Sequence, residues 1–438
     1  MKRTIEMCTR IEGHGQVSYH ILNDQIMSVR FELNAFRGFE NFLINKKIED
    51  VPKIVSRICG MCHVAQTFAS YKAIEDMFNI EPSKNIVYLR QLLMIGDHIK
   101  SHIVHIFFQA FPDLLYILLN KKNYSTPNEI LKFDPEISSN AFELINNSTK
   151  IVSILGGRTV HPITPAIGGF HYFPTNKDLE NVKKYFQRSY NNLKVITEKF
   201  IDLFYKTSPP DDFSFGKPVF MGLNNNTFYD IYEGDIRLND HADILTYFKP
   251  SDYNKYLIRD ELSEITLKFN IERNLLVGPI GRYNVVENYG DNIVDDYLDY
   301  FNITWKSSIL FWTFLGLLEL IILTDKAVNI LENHSFSSRL DNSFANMYNK
   351  GEGIGVLEAP RGLLIHNYQV DENNRLKSAK IFIPTSMNIP TMNELLTNYC
   401  KKKYELTRDL DEIKRNSQII IRSFDPCTSC ATHLIIKR

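Results

Sequence analysis

Leu89-Arg90-Gln91-Leu92-Leu93-Met94-Ile95-Gly96-Asp97-His98-Ile99-Lys100-Ser101-His102-Ile103 decides how the chain is read. Leu89, Leu92, Leu93, Ile95, Ile99 and Ile103 recur at three- and four-residue steps, the spacing of one helical face. The pattern extends over 85–120, and Pro112 predicts a kink or an end, because proline lacks an N–H and crowds the preceding turn. Working outward, helical spacing returns over 51–79, 127–147, 176–206, 250–270, 294–332 and 391–416. Residues 1–35 instead alternate polar and apolar, with a turn at Asn23-Asp24. Short strands are expected over 354–387, around Asp371-Glu372-Asn373-Asn374. Gly156-Gly157-Arg158 and Gly168-Gly169 mark tight connections. The fold class is therefore α+β and predominantly helical. A large helix-bundle core carries a small antiparallel sheet, built from chain-distant pieces near the N-terminus and in the C-terminal third.

The 438 residues are 44% hydrophobic and 23% charged, with a formal net charge of −1. That balance gives no electrostatic case for nucleic acid. No linker or repeat divides the chain, so 1–438 reads as one domain. The start, Met1-Lys2-Arg3-Thr4-Ile5-Glu6, has no apolar signal core. The run from Ile309 to Leu323 falls short of the ~20 residues a membrane span needs, and Glu319 interrupts it. A buried helix is expected there, and a cytoplasmic location for the chain.

The six cysteines are Cys8, Cys59, Cys62, Cys400, Cys427 and Cys430. Four form two CxxC pairs, in Arg57-Ile58-Cys59-Gly60-Met61-Cys62 and in Asp425-Pro426-Cys427-Thr428-Ser429-Cys430. Paired CxxC in a chain this long points to metal or redox chemistry, not to a disulfide framework. Four thiolates suit zinc, nickel or iron–sulfur. Structural zinc sites usually keep their pairs roughly 15–20 residues apart; here almost the whole chain intervenes. On spacing alone, zinc and the other soft metals remain open.

The residues around the pairs resemble the signature motifs of nickel–iron hydrogenase large subunits. Arg57-x-Cys59-Gly60-x-Cys62 matches the first, and Asp425-Pro426-Cys427-x-x-Cys430-x-x-His433 the second. Thr9-Arg10-Ile11-Glu12-Gly13-His14, Phe36-Arg37-Gly38-Phe39-Glu40, Glu358-Ala359-Pro360-Arg361-Gly362 with His366, and Ile383-Pro384-Thr385-Ser386-x-Asn388 agree in the family's order. The resemblance spans nearly the whole chain.

It implies reversible cleavage of dihydrogen at a nickel–iron centre whose iron carries carbon monoxide and cyanide. By similarity all four cysteines bind nickel, and Cys62 and Cys430 also bridge to iron. Arg361 would lie over the open side of the metals, supported by the Asp425 carboxylate. Thr385 would bond a cyanide, and Pro360 and Pro384 would wall the pocket. Glu12 would take the proton from a cysteine sulfur. Glu40, His433 and the Ile381 carbonyl resemble the ligands of a magnesium ion. Cys8 and Cys400 are too few for iron–sulfur clusters. An obligate iron–sulfur small subunit is therefore expected. Ser101 and the 156–162 stretch resemble the cytosolic classes, which couple to a heterodisulfide reductase-type, flavin or nicotinamide module.

Gln66 stands where the family usually has histidine. His98, His102 and His105 share one helical face and are expected to pack, not to bind metal. Five residues, Leu434 to Arg438, follow His433, where a maturation protease commonly trims the family; their removal stays open. Two rivals remain: a quinone-module subunit of the complex I type, which shares the fold but lacks the cysteines, and a structural zinc protein with four cysteine ligands.

Overall fold

The computed structural model describes residues 2–33, 38–124, 126–225, 229–240, 243–259, 267–269, 273–287, 289, 292–336 and 351–431. The opening stretch forms an antiparallel sheet of β1 (Lys2–Cys8), β2 (Gly15–Leu22) and β3 (Gln25–Leu33), in that order. Asn23 and Asp24, with φ of 50° and 58°, make the expected two-residue turn. Val17, Tyr19, Val29 and Phe31 face inward and are buried.

Helices α1 (Phe39–Leu43) and α2 (His63–Phe78) follow. The 89–103 stretch lies in α3 (Lys84–Val104), which continues through a π-helical turn, His105–Ala110, into Phe111–Leu119. Pro112 sits in the first turn of that last piece. It cannot donate to the carbonyl four residues back, and the widened turn before it takes up the mismatch. So Pro112 neither ends the run nor starts a loop. The run is long and apolar enough to cross a membrane, but here α4 (Pro135–Gly156) packs along it. Helix α5 (Asn176–Phe204) lies on α4.

A four-stranded sheet comes next, comprising β4 (Val219–Asn224), β5 (Asp235–Asp240), β6 (Asp243–Phe248) and β7 (Leu275–Leu276), in the order β7-β4-β5-β6. It was not expected from the sequence. Then come α6 (Pro279–Val285) and α7 (Phe311–Asn333), which packs on α3, α5 and α6. Residues Phe311 to Thr324 of α7 are all buried, as the apolar run predicts. A meander of β8 (Glu352–Ala359), β9 (Gly362–Val370) and β10 (Leu376–Phe382) leads into α8 (Pro384–Thr407) and α9 (Leu410–Ser423).

Several expectations need correction; the helical stretches over 51–79, 127–147 and 294–332 are each broken into shorter helices. The two small sheets, β1–β3 and β8–β10, are separate and each is local in sequence, not one sheet of chain-distant pieces. Among the described residues, the helix expected over 250–270 reduces to a 3-10 turn, Pro250–Asp252, and one α-helical turn, Tyr253–Tyr256, followed by the paired strands Leu257–Arg259 and Leu267–Phe269. Tyr253 and Leu257 are both buried at a four-residue step, which mimics a helical face over one turn only. The helix over 391–416 starts earlier, at Pro384, and breaks at Arg408, whose φ is 54°. Asp409 then caps α9, accepting the Asp411 and Glu412 N–H groups at 3.0 Å each.

One close approach positions the later chemistry. A Cβ at Gly355 would lie 2.0 Å from the Ala69 carbonyl oxygen, and one at Gly353 2.1 Å from that of Ala73. Only glycine lets β8 lie directly on the α2 backbone. That contact registers the β8–β9 turn, which holds Arg361, against the helix that begins beside Cys62.

Candidate metal centre

The two cysteine pairs reach one place from opposite ends of the chain. Cys59 ends the short turn Ser56–Ile58, and Cys62 immediately precedes α2. Cys427 and Cys430 follow α9 across Phe424-Asp425-Pro426. All four are buried, unpaired thiols whose sulfurs lie within 4.8 Å of one another. Cys62 Sγ is 3.1 Å from Cys430 Sγ, and Cys59 Sγ is 3.3 Å from Cys427 Sγ. Thiolates bound tetrahedrally at about 2.3 Å to a common ion lie about 3.8 Å apart, so a set of four sulfurs this closely grouped is of the size that holds a soft cation. Among the described residues, this is the one cluster of three or more such ligands.

The electrostatics agree. Hydrogen bonds from the Cys427, Cys430 and Cys62 thiols hold Cys59 well below the ordinary thiol value, and the Arg361 charge helps. Burial pushes Cys427 and Cys430 well above it. Four buried sulfurs cannot all ionise without a compensating cation. By contrast, burial lifts Cys8 to about 11 and Cys400 to about 12, and neither joins the cluster.

Glu12 lies against the cage. Cys427 Sγ donates to its Oε2 at 3.1 Å, and the Ser429 N–H donates to the same oxygen at 3.1 Å. The Thr428 hydroxyl and N–H both donate to the Glu12 carbonyl, at 2.8 and 3.1 Å. This bridge needs Gly13, whose φ is +80°, because a Cβ there would meet Thr428 Oγ1 at 2.1 Å. Arg10 anchors the same loop. It donates to Asp113 at 2.5 Å, and Asp113 also receives Arg422 of α9, at 2.5 and 3.0 Å.

Arg361 covers the cage from another side, buried except for 4% of its surface. Its Nη2 donates to Asp425 Oδ1 at 2.9 Å, its Nε to the Asp425 carbonyl at 2.8 Å, and its Nη1 to Ser101 Oγ at 3.1 Å. Asp425 adopts φ +48° immediately before Pro426. That combination is disfavoured for a residue preceding proline, and such strain is tolerated where the surrounding contacts hold it. Here it turns both the carbonyl and the carboxylate toward Arg361. Thr385, in the first turn of α8 after Pro384, accepts the Cys427 N–H at 2.9 Å.

Glu40 Oε1 accepts the Ile381 N–H at 2.7 Å, a contact made by the N–H and not by the carbonyl expected to bind magnesium. His433, Phe36 and Arg37 lie outside the described residues. Gln66 is not idle: its Oε1 lies 2.9 Å from His366 Nε2, while His366 Nδ1 lies 2.6 Å from the Tyr368 hydroxyl. Burial holds His366 down to about 3, so it is neutral. His98 bonds the Met94 carbonyl and His105 the Arg422 carbonyl, both at 2.8 Å, while His102 Nε2 lies 4.0 Å from the Glu319 carboxylate; all three are buried.

One network was missed. Arg282, fully buried in α6, pairs with Glu319 of α7 and Glu358 of β8. Glu319 signalled it only as a charge inside an apolar run, and nothing around Arg282 marks its role.

Comparison with known proteins matches the chain to the nickel-dependent hydrogenase profile over residues 37–117 and 319–433. It is 31% identical to a chain of the F420-non-reducing hydrogenase of Methanothermobacter marburgensis, over 99% of this chain and 95% of that one. It is 28% identical to the alpha chain of sulfhydrogenase 1 of Pyrococcus furiosus, over 99% and 98%. Among solved structures, a chain of an NAD+-reducing [NiFe]-hydrogenase superposes with a TM-score of 0.89 at 23% identity, over 99% of this chain and 100% of that one. That last likeness speaks for the fold.

Proposed function

This chain belongs to the nickel-dependent hydrogenase family, and from that premise we propose that its four clustered cysteines hold the nickel–iron centre at which dihydrogen is reversibly cleaved. The chain is an oxidoreductase acting on dihydrogen. The observation that carries the site reading is the cage itself: four buried thiols with a guanidinium on one side and a carboxylate on another. Family membership disfavours the complex I-type and zinc rivals.

A nickel–iron pair bound there supplies an electron-accepting centre that polarises dihydrogen. Cys59, Cys62, Cys427 and Cys430 would be the soft donors that hold it. Arg361 contributes a fixed positive charge and N–H donors over the sulfurs, held in aim by Asp425 and Ser101. Glu12 takes a proton from Cys427 Sγ at Oε2, along a contact that already exists. Pro360, Pro384 and Thr385 line the approach, and the Thr385 side chain fixes the Cys427 backbone. Carbon monoxide and cyanide on iron belong to the same reading.

A magnesium ion held by Glu40, His433 and the Ile381 carbonyl belongs to the same reading, with the proximity of Glu40 to the Ile381 backbone as its support. Electrons leave to an iron–sulfur small subunit, since the two cysteines outside the cage, Cys8 and Cys400, are too few to hold a cluster. A further heterodisulfide reductase-type, flavin or nicotinamide module and a cytoplasmic complex belong to the same reading, and the NAD-reducing hydrogenase among the relatives favours the nicotinamide alternative. Infrared spectroscopy of the purified complex tests the reading. Bands of metal-bound carbon monoxide and cyanide are expected; their absence from an active, nickel-loaded sample would contradict it.

A further inference from the structure

Against the backbone that leads into Arg361, Arg282 has no surface exposed at all. A guanidinium has five N–H groups, and all five of these have acceptors. Nε and Nη2 donate to the two Glu319 carboxylate oxygens, each at 2.7 Å. Nη1 donates to Glu358 Oε2 at 2.8 Å. The remaining two go to the carbonyls of Ala359, at 3.2 Å, and Pro360, at 3.0 Å. Those are the two residues immediately before Arg361. Glu358 is itself fixed, its Oε1 accepting the Leu223 N–H of β4 at 2.8 Å.

The turn is also held from below. A Cβ at Gly278 would lie 2.7 Å from the Arg361 carbonyl, and one at Gly362 2.6 Å from the Gly278 nitrogen. Buried ion pairs of this kind gain little stability over well-packed apolar side chains, so stability alone does not explain the cluster. What an apolar cluster could not do is fix two successive carbonyls.

We propose that Arg282, held by Glu319 and Glu358, is a positioning residue that sets the Ala359-Pro360 backbone and so aims Arg361 at the thiol cage. This rests on the reading of Arg361 given above. Lysine cannot substitute, because a point charge with three donors cannot span five acceptors.

The test uses the complete hydrogenase complex with Arg282→Lys, Arg361→Lys and the double variant. Arg282→Lys is expected to lower turnover about 100-fold, the scale of a displaced catalytic group, with nickel content unchanged. The double variant should be no slower than Arg361→Lys alone, and in a crystal structure of Arg282→Lys the Arg361 bonds to Asp425 and Ser101 should be lost. Losses that multiply in the double variant, or an unmoved Arg361, overturn the proposal. If Arg361→Lys leaves turnover intact, the reading of Arg361 fails, and the crystal structure still decides the positioning. Should Arg282→Lys fail to fold, Glu319→Gln keeps the guanidinium and loosens its grip. A smaller loss, again not compounded by Arg361→Lys, is then expected; a compounded loss overturns the proposal.

Discussion

Replacing Glu12 by glutamine removes a proton acceptor while leaving almost everything else in place. Glu12 Oε2 receives the Cys427 thiol and the Ser429 N–H, both at 3.1 Å. A glutamine carboxamide has nearly the same shape, and its oxygen still accepts one of these bonds. The structural loss is the difference between a charge-assisted and a neutral hydrogen bond, about 1 kcal/mol. The chemical loss is larger. A positioned general base contributes roughly 10²- to 10⁴-fold, or about 3–5.5 kcal/mol on the proton-transfer barrier at 1.36 kcal/mol per tenfold. Glu12→Gln should therefore retain its metals and its melting temperature to within a few degrees. It should lose at least about 100-fold in exchange between dihydrogen and heavy water.

Glu12→Asp separates charge from reach. It keeps the carboxylate but withdraws it by about one C–C bond, 1.5 Å, so the 3.1 Å contact opens to about 4.6 Å. A direct hydrogen bond is then impossible and a single water can bridge, so an intermediate rate is expected. Exchange in Glu12→Gln within about twofold of the unaltered protein would refute the reasoning, because a general base cannot contribute so little.

Arg361→Lys should lower turnover about 10²- to 10³-fold, the usual cost of one preorganised electrostatic donor, with nickel retained by metal analysis. Thr385→Val leaves the buried Cys427 N–H without its acceptor, which should cost about 1–3 kcal/mol in denaturant unfolding. Burial pushes Asp97 up to about 8, well above an unfolded aspartate. The folded state therefore holds a proton that the unfolded state releases, and stability falls as pH rises from about 4 to about 8. Asp97→Asn should remove that slope of about 1.4 kcal/mol per pH unit, read from unfolding midpoints across the range; an unchanged slope would discount Asp97.

How much of this could be read beforehand varied with the kind of residue. Cys59, Cys62, Cys427, Cys430, Arg361, Asp425 and Glu12 stand in short motifs, and the fold brings them together. Long amphipathic helices such as α3, α5 and α7 announce themselves by period. The four-stranded sheet does not: β4 is buried along five of its six residues, so it shows no alternation. One-turn structures such as Tyr253–Tyr256 give too little pattern to separate from a helix. The left-handed break at Arg408 carries no glycine to flag it. Arg282 was illegible for a different reason. Its partners, Glu319 and Glu358, sit on separate elements, and only the fold shows that all three serve the turn before Arg361. Gln66 was legible as a departure, but its pairing with His366 was not.

The central claim is the metal. Elemental analysis of the purified complex, scaled to this chain and corrected for cluster iron, should give one nickel and one iron. Both should fall together when any of the four cage cysteines is replaced by serine, while Cys400→Ser leaves them unchanged. Zinc in place of nickel and iron, or full nickel occupancy after loss of Cys427, would contradict the account.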